Sequence, residues 1–113
     1  MYIPEIYAQN DPSEIKNFIK ENSMGVLITS TGNPEPSITH LPFLLIEKDN
    51  DFFIETHLAN KNGHLDQLKI AKMGTVVFQG PNTYISSSVY HHQNVPTWNY
   101  QAVHIFGTIE FMN

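Results

Sequence analysis

No cysteine occurs among the 113 residues, so disulfides, thiol nucleophiles, cysteine-based zinc sites and iron–sulfur clusters are all excluded. Arginine is absent too: all six basic residues are lysines, against eleven acidic ones, for a net charge of −5. Nucleic-acid surfaces rely on basic patches and on the arginine fork for bidentate contacts. Direct DNA binding by this chain is therefore not expected. Charge is sparse as well, at 15% of residues against roughly 25% in an average domain. The longest apolar run, Leu41–Ile46, is far short of the roughly 20 residues that cross a bilayer. Met1–Asp11 has no basic residue and no signal-like apolar stretch. With no repeat and no linker-like tract, the chain reads as one soluble, cytoplasmic domain over residues 1–113.

Several catalytic and nucleotide motifs are also missing. The glycines at 25, 32, 63, 74, 80 and 107 form neither GxGxxG nor a phosphate-binding loop. There is no HExxH, GxSxG or EF-hand pattern. Glu55 and His57 share a strand face, and His91 and His92 are adjacent, but no spacing fixes a third ligand; no metal site and no catalytic pair are assigned.

What is present is aromatic and strand-forming. Asp11-Pro12-Ser13-Glu14 predicts a helix start, with Ile15, Phe18 and Ile19 on its apolar face and an end near Asn22-Ser23. Strands follow over Met24–Ser30, Ser37–Glu47 and Phe52–Leu58, the middle one apolar on both faces and so covered on both sides. Asn62–Lys72 predicts a second short helix. Gly74–Gln79 is a fourth strand, closed by a turn at Gly80-Pro81-Asn82, and Thr83–Tyr90 a fifth. After a loop at His91–Pro96, Trp98–Met112 is one long last strand. Many short strands with few helices predict a mainly β fold, a small β-barrel with short helices. Trp98, Tyr100, His104 and Phe106 fall on one face of the last strand, either as barrel core or as a wall for a planar heteroaromatic ligand.

The motifs Met1-Tyr2-Ile3-Pro4, Thr39-His40-Leu41-Pro42-Phe43, His57-Leu58-Ala59, Val77-Phe78-Gln79-Gly80-Pro81, Tyr84-Ile85-Ser86 and Val95-Pro96-Thr97-Trp98-Asn99-Tyr100 occur in that order. Together they resemble the PaiB-type "FMN-binding negative transcriptional regulator" family over essentially the whole chain. The resemblance implies an FMN-binding split barrel of Greek-key type, a homodimer with flavin at the subunit interface, and a regulatory or sensing role. An FMN-dependent oxidoreductase, or a cofactor-free barrel acting through dimerisation or protein contacts, are the alternatives. Carried over residue by residue, it implies cofactor contacts at Thr39, His40, His57, Lys61, Asn62, Gln79, Ser86, Trp98 and Tyr100.

Each of these has a physical reading. Without arginine, a phosphate must be met by lysine, hydroxyls or backbone N–H groups. Lys61 precedes the second helix, whose free N–H groups also suit a phosphate. Thr39 and Ser86 offer hydroxyls, Gln79 or Asn99 can read the ring edge, and Trp98 or Tyr100 can wall the ring. The chain departs from the family pattern at Asn60, where a basic residue is expected, and at Ser87-Ser88-Val89, where a proline and a tryptophan are expected. Family members also continue past the position of Asn113. These departures predict FMN held weakly or lost.

Overall fold

The computed structural model describes residues 1–86, 88 and 96–112. After an exposed 3-10 turn at Glu5–Tyr7, the elements are α1 (Pro12–Glu21), β1 (Met24–Thr29), β2 (Ser37–Pro42), β3 (Leu44–Lys48), β4 (Asp51–Glu55), α2 (His64–Ile70), β5 (Met73–Ile85) and β6 (Thr97–Thr108). No helix is long and apolar enough to cross a membrane among the described residues. The fold is mainly β, antiparallel and barrel-like with two short helices, as the sequence predicts.

Helix α1 starts where its capping residues place it: the Ser13 N–H donates to the Asp11 carboxylate at 2.9 Å, with Pro12 at the first helical position. Its apolar stripe buries Ile19 completely and packs Ile15 and Phe18 against the core. Strands run in the order β2-β1-β5-β6 in one sheet, and β3-β4 form a separate hairpin. That hairpin turns on Asp49 and Asn50, both at positive φ, 54° and 66°. Short polar side chains tolerate this conformation, and the paired strands require it in a two-residue turn.

The single strand predicted over Ser37–Glu47 is two strands belonging to different sheets. Pro42 has no N–H to extend the ladder, and at Phe43 the chain crosses over, its N–H donating to the Ser23 carbonyl at 2.9 Å. Leu44 is consequently exposed rather than covered. Phe43 is buried and meets Phe78 edge-on, ring centroids 5.6 Å apart, which joins the hairpin to the sheet. Gly25 makes room for this contact: a Cβ there would lie 2.8 Å from Val76 and 3.0 Å from the Phe43 ring. Leu27, Val76, Phe78, Ile19 and Leu68 complete the core.

The predicted turn at Gly80-Pro81-Asn82 is instead an irregularity inside one long strand. β5 shifts register against β6 between Gln79 and Asn82 and then continues to Ile85. A bulge is the one sheet-interior position that accepts proline. Gly80 is where the Phe18 ring of α1 comes closest; a Cβ there would sit 2.9 Å from it. Beyond this point the β5–β6 ladder projects as an arm in which Asn82, Thr83, Tyr84 and Thr97–Tyr100 are all exposed. The radius of gyration is 17.3 Å, against about 13 Å for a compact domain of this size. The rest of the predicted fifth strand and most of the loop after it, including His91 and His92, lie outside the described residues.

Candidate functional site

The densest polar cluster is built around His64, a residue to which the sequence reading assigned no role. As the first residue of α2, it shares the buried face of that helix with Leu68, one turn on. Its ring enters between β1 and β2, which are paired so that Leu27 faces Thr39 and Thr29 faces Ser37. There Nε2 lies 2.8 Å from the Thr29 hydroxyl and Nδ1 lies 2.7 Å from the Thr39 hydroxyl. Asn62 closes the ring of contacts. Its Oδ1 accepts the His64 backbone N–H at 2.9 Å, which turns its Nδ2 toward Thr39 Oγ1 at 3.5 Å. Just beyond, the Thr31 hydroxyl donates to Gln67 Oε1 at 2.6 Å.

His64 and Thr29 are 5% and 3% exposed, and no buried polar side-chain atom among the described residues lacks a partner. Burial removes solvation from the charged imidazolium and holds the His64 pKa below its ordinary value of 6.5. A neutral ring has one N–H and one lone pair, and the two threonines match it with one acceptor and one donor.

Two residues predicted from the sequence therefore converge, Thr39 and Asn62; Lys61 is exposed and immediately precedes Asn62. Among the described residues the single salt bridge is Lys16–Glu47, at 3.1 Å, so the Lys61 ammonium has no carboxylate partner there. The helix N-terminus is less open than predicted. The amides of His64 and Leu65 are both taken by Asn62, through its side chain and its carbonyl. The second predicted helix also shrinks to the seven residues of α2.

A second group occupies the opposite, outward face of the four-stranded sheet. Strand alternation sends His40 to the other side from Thr39, in a lateral row His40–Val26–Val77–His104 across β2, β1, β5 and β6. Gln79 is on this face, opposite Ala102, and so are Tyr100, opposite Asn82, and Trp98, opposite Tyr84. The Trp98 and Tyr84 rings are 5.4 Å apart, tilted by 57°. Trp98, Tyr100, His104 and Phe106 share one face, as predicted, but that face is open: Trp98 is 57% and Phe106 75% exposed. These rings are not the barrel core, which Val103 and Ile105 enter instead. Ile38, Met24 and Met73 extend the exposed apolar surface across the sheet.

The last two residues stand apart. Ser86 ends the arm, its Oγ 3.0 Å from the Ser88 hydroxyl. His57 lies on the extended segment after β4 and borders a cleft of about 840 Å³ between the hairpin and the end of β6. The cleft is walled by Phe43, Leu58, Val76, Ile105 and Ile109, and its charged lining consists of Asp51, Glu55 and Glu110 with no lysine. Its charge is wrong for a phosphate.

Residues 1–113 match the family described as "Putative FMN-binding domain", and the chain belongs to that family. It is 45% identical over 107 residues to protease synthase and sporulation protein PAI 2 of Bacillus subtilis, a match covering 95% of this chain and 51% of that protein. It is 32% identical over 131 residues to an uncharacterised protein of Saccharomyces cerevisiae, covering 96% of this chain and 77% of the yeast protein. The chain thus spans about half the length of the Bacillus relative. The PaiB-type resemblance carried by the motifs is correct.

Proposed function

We propose that this chain binds FMN and serves a regulatory or sensing role of the PaiB type. The observation that carries the reading is the hydrogen-bonded grouping of Asn62 and Thr39 around a fixed, buried histidine, with the exposed Lys61 next to Asn62 in sequence. A phosphate monoester needs a cation and directed N–H or O–H donors. Lys61 supplies the cation, and the second Nδ2 hydrogen of Asn62 and the Thr39 hydroxyl supply donors, so the residues present fit the group. The isoalloxazine ring belongs with the amphipathic rings of Trp98, Tyr100 and Tyr84, with the Gln79 amide on the same face to read a heterocycle edge. Flavin, when bound, supplies redox reactivity of its own; the chain's residues bind and orient it.

The two groups lie on opposite faces of the sheet, and a second copy brings a ring-binding face to a phosphate-binding cluster. A homodimer also covers the outward face, which exposes Trp98, Tyr100, Phe106, Ile38, Met24 and Met73. Fluorescence titration with FMN and with riboflavin tests the reading. FMN should bind more tightly than riboflavin, and light scattering at low micromolar concentration should give twice the 12.9 kDa chain mass. Absence of flavin binding would overturn the cofactor assignment, and a 12.9 kDa species would overturn the dimer.

A further inference from the structure

Among the described residues, two sheet edges that face one another have no strand between them. β6 ends the four-stranded sheet and pairs only with β5, and β4 pairs only with β3. The cleft of about 840 Å³ lies between these edges. Its lining shows which aspect of each strand it meets: residues 51–58 border it without a gap, and so do residues 105–112. A strand that turned a face to the cleft would contribute every second residue, because side chains alternate, so an unbroken run marks an edge. On an edge strand, half of the backbone N–H and C=O groups point away from the single partner. The cleft is therefore flanked on both sides by backbone donors and acceptors, over a floor that includes Leu27, Leu68 and Val76.

Alternation also fixes the chemistry of the slot's two sides. Ile54 and Leu58 on one edge, and Ile105 and Ile109 on the other, pack against the core. Asp51 and Glu55, and Glu110 across the cleft, have the opposite parity and so lie on the outward side, with no lysine in the lining. Native edges are ordinarily guarded by lysine or proline, and neither occurs in 51–58 or 105–112. We propose that the cleft is a docking slot for one extended segment of a partner polypeptide, added as a β-strand between β4 and β6, in which apolar residues alternate with lysine or arginine. Its apolar side chains enter beside Ile54 and Ile105, and its cations meet the three carboxylates. A strand residue fills about 160 Å³, from a strand spacing of about 4.8 Å, a rise of about 3.4 Å and a sheet spacing of about 10 Å, so the slot takes about five residues. A second copy is the wrong occupant. Pairing edge to edge, it would set carboxylate against carboxylate in a chain of net charge −5.

A fluorescein-labelled peptide alternating valine and lysine, capped at both ends, should bind the full chain saturably in anisotropy titrations. Its valine–glutamate counterpart should bind at least about tenfold more weakly. With the valine–lysine peptide bound, hydrogen exchange should slow within 51–58 and 105–112, and not in β2, the other end of the larger sheet. Glu55→Gln and Glu110→Gln should each weaken that peptide about two- to fivefold, as expected for partly solvated ion pairs. Failure of the valine–lysine peptide to bind, equal binding of the two peptides, or protection confined to β2 would overturn the proposal. Protection of both segments in the peptide-free chain that grows with protein concentration would put a second copy in the slot, and would overturn it as well.

Discussion

Replacing Lys61 with alanine separates the phosphate contact from the ring contact, because only one of two closely related ligands carries the phosphate. Lys61 is exposed and has no carboxylate partner among the described residues, so its ammonium is available to a ligand but is surrounded by water. Two unit charges 4 Å apart interact by about 1 kcal/mol in water and about 4 kcal/mol at the effective dielectric of a protein surface. An exposed lysine falls toward the lower end, at about 1–2 kcal/mol, which corresponds to about a five- to thirtyfold loss of FMN affinity in Lys61→Ala. Riboflavin affinity should stay within about twofold, since the neutral ligand has no charge for Lys61 to meet. Salt offers a second handle: the screening length falls from about 10 Å at 0.1 M to about 3 Å at 1 M, so the difference between the proteins should shrink at high salt. Lys61→Arg retains the charge and should recover most of the affinity. Quenching of flavin fluorescence measures all of these constants. Equal weakening of FMN and riboflavin, or no change in either, would refute the assignment of Lys61 to the phosphate.

Trp98→Ala should weaken FMN and riboflavin alike, by the roughly 1–3 kcal/mol typical of a stacked heterocycle, and a loss confined to FMN in the same titration would place Trp98 at the phosphate instead. Phe78→Ala removes a side chain of 0% exposure that meets Phe43 edge-on, and chemical denaturation should show about 3–5 kcal/mol of destabilisation; under 1 kcal/mol would mean that the core does not depend on this pair. His64 has a folded pKa below its ordinary 6.5, so as pH falls through 6.5 the unfolded chain takes up a proton that the folded chain refuses. Stability should therefore drop between pH 7.5 and the depressed folded value and level off with respect to His64 below it. His64→Gln should flatten this part of the profile in urea melts, and an unchanged slope would refute the burial argument.

Local chemistry made some of the fold legible. Asp11-Pro12-Ser13 specifies a helix start from backbone donors alone, and the structure has it at that residue. Two boundaries escaped because one signal served two structures. Leu41–Ile46 is apolar throughout, which fits a strand covered on both faces as well as a chain leaving one sheet for another. Only Pro42, which cannot donate to a ladder, hints at the crossover to β3. Gly80-Pro81-Asn82 has the composition of a turn, yet the same residues suit a bulge, where proline's missing donor costs nothing and glycine admits the Phe18 ring. Pairing partners far along the chain decide between the two, and local composition does not contain them.

The site was legible in proportion to how much of each residue's role is its own chemistry. Lys61 and the rings of Trp98 and Tyr100 can be read as cation and wall without knowing their neighbours. Thr39 and His40 cannot, since adjacent residues on one strand face opposite ways and only the pairing of β2 with β1 shows which is covered by α2. His64 is the extreme case. A histidine after a glycine at a helix start looks like a solvated polar residue, and its sole local sign is the spacing of four to Leu68, which places both on one helix face. Its donors and acceptors come from Thr29, 35 residues earlier, and Thr39, 25 residues earlier. Residues proposed to meet a ligand by charge or by ring are thus found by type, whereas a buried histidine held between two hydroxyls is found only when the hydrogen bonds around it are followed to closure.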